Sequence, residues 1–104
     1  MKNILLCCSA GMSTSLLVTK MQEAAKKEGL DINIWALPAE KLSEEISFKK
    51  LDVVLLGPQI KYQLPQIKKV CDTKSIPCDV IALQDYGTMN GKKVLDFARN
   101  LMKI

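Results

Sequence analysis

Short apolar runs alternate along this chain with longer segments whose apolar residues recur at helical spacing. The first run covers residues 3–8 and ends at Ser-Ala-Gly, which is typical of a strand buried on both faces. In the next segment Leu17 and Met21 recur with a helical period, and Gly29 closes that segment as a helix C-cap would. The chain therefore begins with a strand, a short loop and a helix.

The same alternation continues to the end of the chain. Further strands are predicted at 31–37, 52–56 and 77–83, and further helices at 38–46, 59–71 and 89–102. Pro65 falls inside the third predicted helix and should break or restart it there. Strands that alternate with helical crossovers form right-handed βαβ units. We therefore expect an α/β fold, an open four-stranded parallel sheet flanked by helices on both faces.

Length and composition limit the chain to one folded unit. A chain of 104 residues can build one hydrophobic core but not two, so we expect a single domain spanning residues 1–104. Hydrophobic residues at 48% and charged residues at 25% match an ordinary soluble globule. The longest apolar runs are far shorter than the roughly 18 to 20 residues that span a bilayer, or than a secretion signal's apolar core. We expect a cytoplasmic protein without membrane insertion.

The charge of the chain is mildly basic and evenly spread. A net charge of +4 comes from 14 lysines and one arginine, which are scattered along the predicted helices. Aromatic residues make up only 5% of the chain, so the stacking surface of a single-strand nucleic-acid binder is missing. We expect no nucleic-acid partner. Such a surface would suit an acidic protein or a phosphorylated ligand.

The cysteines follow neither a metal-binding nor a disulfide pattern. They show no CxxC pair, and the chain has no histidine to complete a mixed zinc site, so we expect no metal and no cofactor. A disulfide framework is equally unexpected in a cytosolic chain. At least one thiol is then free for chemistry. The four are Cys7, Cys8, Cys71 and Cys78.

The residues that follow the first strand have the composition of an anion-binding loop. Small residues let backbone N–H groups converge, Gly11 permits a turn that other residues resist, and a helix beginning near Ser13 offers unpaired N–H groups. Cys8 lies at the mouth of this loop, where the helix dipole favours a thiolate nucleophile. The predicted phosphate-binding residues are Ser9, Ala10, Gly11, Met12, Ser13, Thr14 and Ser15.

Two other phosphate chemistries fit this loop poorly. A Walker nucleotide loop requires Gly-Lys, but Gly11 is followed by Met12. In the cysteine phosphatase pattern an arginine follows the nucleophile after five residues, and Thr14 occupies that position here. Arg99 is the only arginine in the chain, so we expect phosphoryl transfer rather than hydrolysis. A phosphatase-like enzyme and a non-catalytic anion-binding module stay open as alternatives.

Three segments together resemble one family. The sequences CSAGMSTSLLV (8–18), DVVLLGPQI (52–60) and the region around Tyr86 are similar to the IIB proteins of the lactose/cellobiose class of bacterial phosphotransferase systems. The resemblance implies a phosphotransferase in which Cys8 accepts phosphate from the phosphohistidine of a IIA protein. It also implies transfer of that phosphate to a sugar bound by the membrane protein IIC, with cellobiose or a related disaccharide as the expected sugar.

Several residues near this site have two readings. Gln59 and Tyr86 follow strand ends and fall at the expected edge of the site, where either could contact phosphate, although a turn residue and a packing tyrosine explain them equally well. One of Ser13, Thr14 and Ser15 is expected to cap the helix. Cys7 precedes the loop within the strand and is expected in the core.

Overall fold

The structure is a computed structural model that describes residues 1–8 and 12–104, with only the backbone for residues 12 and 13. It contains four strands and five α-helices, with 3-10 segments at Ala39–Lys41 and Pro58–Gln63. The strands are β1 (Lys2–Cys8), β2 (Ile32–Pro38), β3 (Val53–Leu56) and β4 (Cys78–Val80). The helices are α1 (Met12–Lys27), α2 (Leu42–Phe48), α3 (Leu64–Asp72), α4 (Leu83–Gly87) and α5 (Gly91–Met102).

The four strands form one parallel sheet in the order β2-β1-β3-β4. β1 lies at the centre, where Ile4 pairs with Ile34 on one side and with Val53 on the other. All four carboxyl ends therefore meet at one edge, here called the carboxyl edge. The predicted fold class is confirmed.

Alternate residues of each strand enter two separate cores, as the period of a strand requires. Ile4 and Leu6 pack in a cluster with apolar residues of α1 and α5. Leu5 and Cys7 pack on the opposite face in a cluster with residues of α2 and α3. The sheet is thus covered by helices on both faces, which explains why β1 is apolar at successive positions.

Most of the predicted boundaries lie within two residues of the observed ones, but the region after β4 was predicted wrongly. The fourth strand ends at Val80 rather than at residue 83, because Leu83 begins the short helix α4. This helix is a fifth one, where the sequence indicated four. Its five residues are too few to show a helical period against the preceding strand.

Proline and glycine act at two helix ends as predicted. Pro65 lies in the first turn of α3, where its missing N–H is not needed, and the chain before it forms the 3-10 segment rather than α-helix. Gly29 follows α1 with a φ of 70°. This left-handed conformation is the one that a helix C-cap requires and that glycine adopts without strain.

Within residues 1–8 and 12–104, no helix combines the length and the apolar character needed to cross a bilayer.

Candidate functional site

Cys8 is the last residue of β1 and stands at the carboxyl edge, as predicted. It pairs with Pro38 at the end of β2, and its side chain is 9% exposed. Its Sγ lies 3.8 Å from the carbonyl oxygen of Leu37, to which the thiol donates a weak hydrogen bond. The sulfur is therefore oriented by the backbone of the neighbouring strand.

The predicted phosphate-binding loop is only partly described. Ser9, Ala10 and Gly11 lie outside the described residues, as do the side chains of Met12 and Ser13. α1 begins at Met12 and runs for 16 residues, so the amino end of a long helix follows Cys8 closely in the chain. That end carries the free N–H groups and the positive pole of the helix, which favour a bound anion.

Thr14 and Tyr86 form a buried polar contact at this edge. Their hydroxyl oxygens are 3.0 Å apart although the residues are 72 positions apart in sequence. Thr14 is 1% exposed and Tyr86 is 6% exposed, so this hydrogen bond is shielded from water. The first turn of α1 is thereby tied to the helix that follows β4.

Gly57 brings the two predicted edge residues together. Its N–H donates to the carbonyl oxygen of Cys7 at 3.0 Å, which joins the end of β3 to the residue preceding Cys8. A Cβ built at Gly57 would lie 3.0 Å from Gln59 Oε1 and 3.7 Å from Tyr86 Cε2. Gln59 and Tyr86 thus flank the same glycine at the carboxyl edge.

Sequence reasoning placed Tyr86 at this edge but missed its partner. Thr14 is a predicted phosphate-binding or capping residue, and in the structure its hydroxyl is hydrogen-bonded to that of Tyr86. Thr14 and Tyr86 are too far apart in sequence for their spacing to indicate this hydrogen bond. Ser15 is exposed, and its carbonyl oxygen accepts a hydrogen bond from the Thr19 hydroxyl at 3.2 Å.

In the other three cysteines burial favours the protonated thiol over the thiolate. Burial raises the pKa of Cys7 and of Cys71 to about 12, and burial likewise raises the pKa of Cys78. A thiol must lose its proton to become a good nucleophile. In the described part of the chain, no three His, Cys, Asp or Glu side chains are grouped so as to hold a metal ion.

The buried Cys7 thiol should make the protein less stable in alkaline solution. Its pKa rises on folding from 9.0 to about 12, so above pH 9 the unfolded chain releases a proton that the folded chain keeps. Stability is therefore unaffected below pH 9 and falls above it, by about 1.4 kcal/mol per pH unit from this thiol. Denaturant unfolding between about pH 9 and pH 11 measures this loss.

Cys7→Ala provides the comparison for that measurement. The variant is less stable at neutral pH because it leaves a small cavity, but its stability should fall less steeply with rising pH. Lysines and tyrosines titrate in both proteins, so the difference between the two slopes isolates Cys7. Equal slopes would contradict the prediction.

Comparison with known proteins gives one family. The family model described as "PTS system, Lactose/Cellobiose specific IIB subunit" matches residues 3–97. The match includes Cys8, residues 9–15 and every residue of the carboxyl edge described above.

Three curated relatives are similar to almost the whole chain. The galactose-specific EIIB component of Lactococcus lactis subsp. cremoris is 46% identical, over 97% of this chain and 96% of its own length. The oligo-beta-mannoside-specific EIIB component of Bacillus subtilis is 45% identical, over 98% and 97%. The cellobiose-specific EIIB component of Lactococcus lactis subsp. lactis is 46% identical, over 97% and 96%.

Two solved structures are similar to this one. The solution structure of the cellobiose-specific IIB component from Borrelia burgdorferi has a TM-score of 0.80 at 42% identity, covering 98% of this chain and 92% of that one. The lactose-specific IIB domain from Streptococcus pneumoniae has a TM-score of 0.85 at 15% identity, with 96% of each chain covered. The second similarity concerns the fold alone.

Proposed function

Because the chain belongs to the lactose/cellobiose-specific IIB subunits of the sugar phosphotransferase system, we propose that residues 1–104 act as one phosphoryl-carrier domain that holds its phosphate on Cys8. A role as a sugar-specific phosphotransferase component follows from family membership itself. The identity of the phosphate-bearing atom is the proposal. The position of Cys8 at the carboxyl edge, directly before the amino end of α1, supports it best.

The proposed chemistry is two successive phosphoryl transfers. The Cys8 thiol loses its proton to solvent, and its sulfur attacks the phosphorus of a phosphohistidine. A P–S bond forms while the P–N bond breaks, and the histidine nitrogen leaves with the electron pair of that bond. In the second transfer a sugar hydroxyl attacks the same phosphorus, the P–S bond breaks, and the thiolate is regenerated while the hydroxyl proton passes to solvent. Backbone N–H groups of residues 9–15 would stabilise the charge on the equatorial oxygens in both steps. Gln59 and Tyr86 flank this site.

The proposed partners follow from the two transfers. A IIA protein supplies the phosphohistidine, and a membrane-bound IIC protein presents the sugar, both at the cytoplasmic side. Both must approach the same sulfur, so we propose that each docks at the carboxyl edge. Three large apolar side chains that follow strand ends are exposed there and suit protein contacts. They are Leu16, Tyr62 and Leu83, with exposures of 49%, 74% and 74%.

The sugar is proposed as cellobiose or a related disaccharide. Relatives whose names specify galactose, oligo-beta-mannoside and cellobiose are 46%, 45% and 46% identical, so identity does not separate these sugars. The solved cellobiose-specific relative at 42% identity supports the proposal. The sugar itself would be bound by the membrane partner.

The phosphatase alternative is not favoured. In a cysteine phosphatase the arginine that binds phosphate would occupy position 14. Here this position holds a buried threonine, whose hydroxyl is hydrogen-bonded to Tyr86. The only arginine of the chain, Arg99, lies on α5 and pairs with Glu28 at 3.4 Å. A guanidinium held in this ion pair is not placed to bind a phosphate at the first turn of α1.

A reconstitution separates carrier, phosphatase and binding module. The protein is incubated with phosphoenolpyruvate, the general phosphotransferase proteins and a IIA protein of this class, and intact masses are followed. A carrier gains one phosphoryl group and loses it to cellobiose when membranes containing the IIC protein are added. Release of free phosphate without sugar would indicate a phosphatase, and an unmodified mass beside a phosphorylated IIA protein would indicate a binding module.

A further inference from the structure

We propose that Tyr86 is a positioning residue, which holds the first turn of α1 in place relative to Cys8 through its hydrogen bond to Thr14. This inference rests on the proposed carrier function of Cys8. It assigns Tyr86 a role that needs no contact with phosphate. Thr14 is the residue through which the role is exerted.

The Thr14–Tyr86 bond is built to be specific. Apart from Tyr86 and the cysteines, Thr14 carries the one polar side chain that is buried among residues 1–8 and 14–104, and its hydroxyl lies 3.0 Å from that of Tyr86. A buried hydroxyl without a partner is costly, so a rotation or shift of α1 that breaks this bond is disfavoured. The bond therefore favours one position and one rotation of α1 relative to Tyr86.

The ring of Tyr86 also lies close to Gly57, the residue after β3 that is hydrogen-bonded to the strand carrying Cys8. Tyr86 Cε2 lies 3.7 Å from the position of a Cβ at Gly57, and Gly57 donates its N–H to Cys7 at 3.0 Å. One side chain thus contacts the first turn of α1 through its hydroxyl, and its ring lies beside Gly57, whose N–H is hydrogen-bonded to the carbonyl oxygen of Cys7.

Tyr86 is itself held by the backbone of α4. Its N–H donates to the carbonyl oxygen of Ala82 at 3.0 Å, and its own carbonyl accepts from Met89 at 3.1 Å. These two hydrogen bonds fix the backbone of Tyr86, from which the ring extends, in the helix that follows β4. The short helix that the sequence did not reveal is the element that places this ring.

Phosphoryl transfer is sensitive to this arrangement. The attacking sulfur, the phosphorus and the leaving atom must lie in line, and a misplacement of about 1 Å can slow such a reaction by up to about a hundredfold. The N–H groups at the start of α1 stabilise the transferring group only while they stay at their distance from the sulfur. Loss of the Tyr86 hydroxyl should therefore slow transfer and leave partner binding unchanged.

Single and double variants test this role. Tyr86→Phe and Thr14→Val each remove one hydroxyl and keep the shape, and Thr14→Ser keeps the hydroxyl. Thr73→Val is the matched control, because Thr73 is exposed and its hydroxyl donates only to the carbonyl oxygen of Val70, at 2.6 Å on α3. For each variant, kcat and KM are measured with the phosphorylated IIA protein as substrate, together with the thermal unfolding midpoint.

The positioning role predicts a distinct pattern. Tyr86→Phe and Thr14→Val each lower kcat about tenfold with KM unchanged, and the double variant is no slower than the slower single one. Thr14→Ser and Thr73→Val stay close to the wild type. Should Tyr86→Phe fail to fold, Thr14→Val carries the test, since it leaves the aromatic contacts in place.

Several results would overturn the inference. A normal kcat with a lowered unfolding midpoint would make the bond merely structural, and a change in KM alone would place Tyr86 in partner docking. A slow Tyr86→Phe beside a normal Thr14→Val would mean direct contact with phosphate. A wild type that accepts no phosphate overturns the carrier function and this inference with it, whereas a phosphorylated wild type with unaffected variants overturns the inference alone.

Discussion

Replacement of Cys8 by serine is expected to abolish phosphate acceptance. The hydroxyl of serine is a far weaker nucleophile than a thiolate, and the chain has no histidine that could activate it. The fold should persist, since Cys8 ends its strand and the exchange changes one atom. Intact mass after incubation with the phosphorylated IIA protein measures the loss, and circular dichroism checks the fold.

Cys7→Ala and Cys78→Ala are the controls for this experiment. Each variant removes a thiol of the same sheet, Cys7 in β1 and Cys78 in β4. Burial raises the pKa of both thiols, so neither should be the acceptor. We expect both variants to accept phosphate at rates close to that of the wild type. Phosphate on folded Cys8→Ser, or its loss in Cys7→Ala, would contradict the assignment.

Gly91→Ala is expected to cause the largest loss of stability. A Cβ at this position would clash with the carbonyl carbon of Lys20 and would lie 2.5 Å from its oxygen. These are backbone atoms of α1, so the clash is relieved only if α1 and α5 move apart. Overpacking of this kind costs about 3 kcal/mol or more. The unfolding midpoint should fall by more than about 10 °C.

Gly87→Ala is the matched control for Gly91→Ala. A Cβ at Gly87 would have no atom within 4 Å, so its stability should stay within about 0.5 kcal/mol of the wild type. Thermal and denaturant unfolding of both variants provide the comparison. Equal midpoints for the two variants would show that α1 and α5 are not packed as closely as described.

The layered architecture could be predicted because the signal for it is repeated along the chain. Continuous apolar residues in β1 and β3 indicate strands covered on both faces, and the periods of α1 and α5 indicate the helices that cover one of these faces. What failed was the segment after β4. A three-residue strand and a five-residue helix are each too short for a period, and tertiary contacts decide their limits.

The placement of three residues at the carboxyl edge could also be predicted. Placing Cys8, Gln59 and Tyr86 at one edge required only that parallel strands end together. The Thr14–Tyr86 bond could not be predicted, because it joins two side chains through the packing of α1 against the region after β4. The residues of the carboxyl edge do not indicate which sugar is phosphorylated. Relatives with different sugar names are equally similar to this chain.

The site of phosphorylation tests the central claim most directly. The wild-type protein is phosphorylated through the IIA protein, digested under conditions that preserve phosphocysteine, and mapped by peptide mass spectrometry. We predict one phosphoryl group on the sulfur of Cys8, in the peptide that contains residues 3–20. Phosphate on any other residue, or on none while the IIA protein is phosphorylated, would contradict the claim that Cys8 is the carrier.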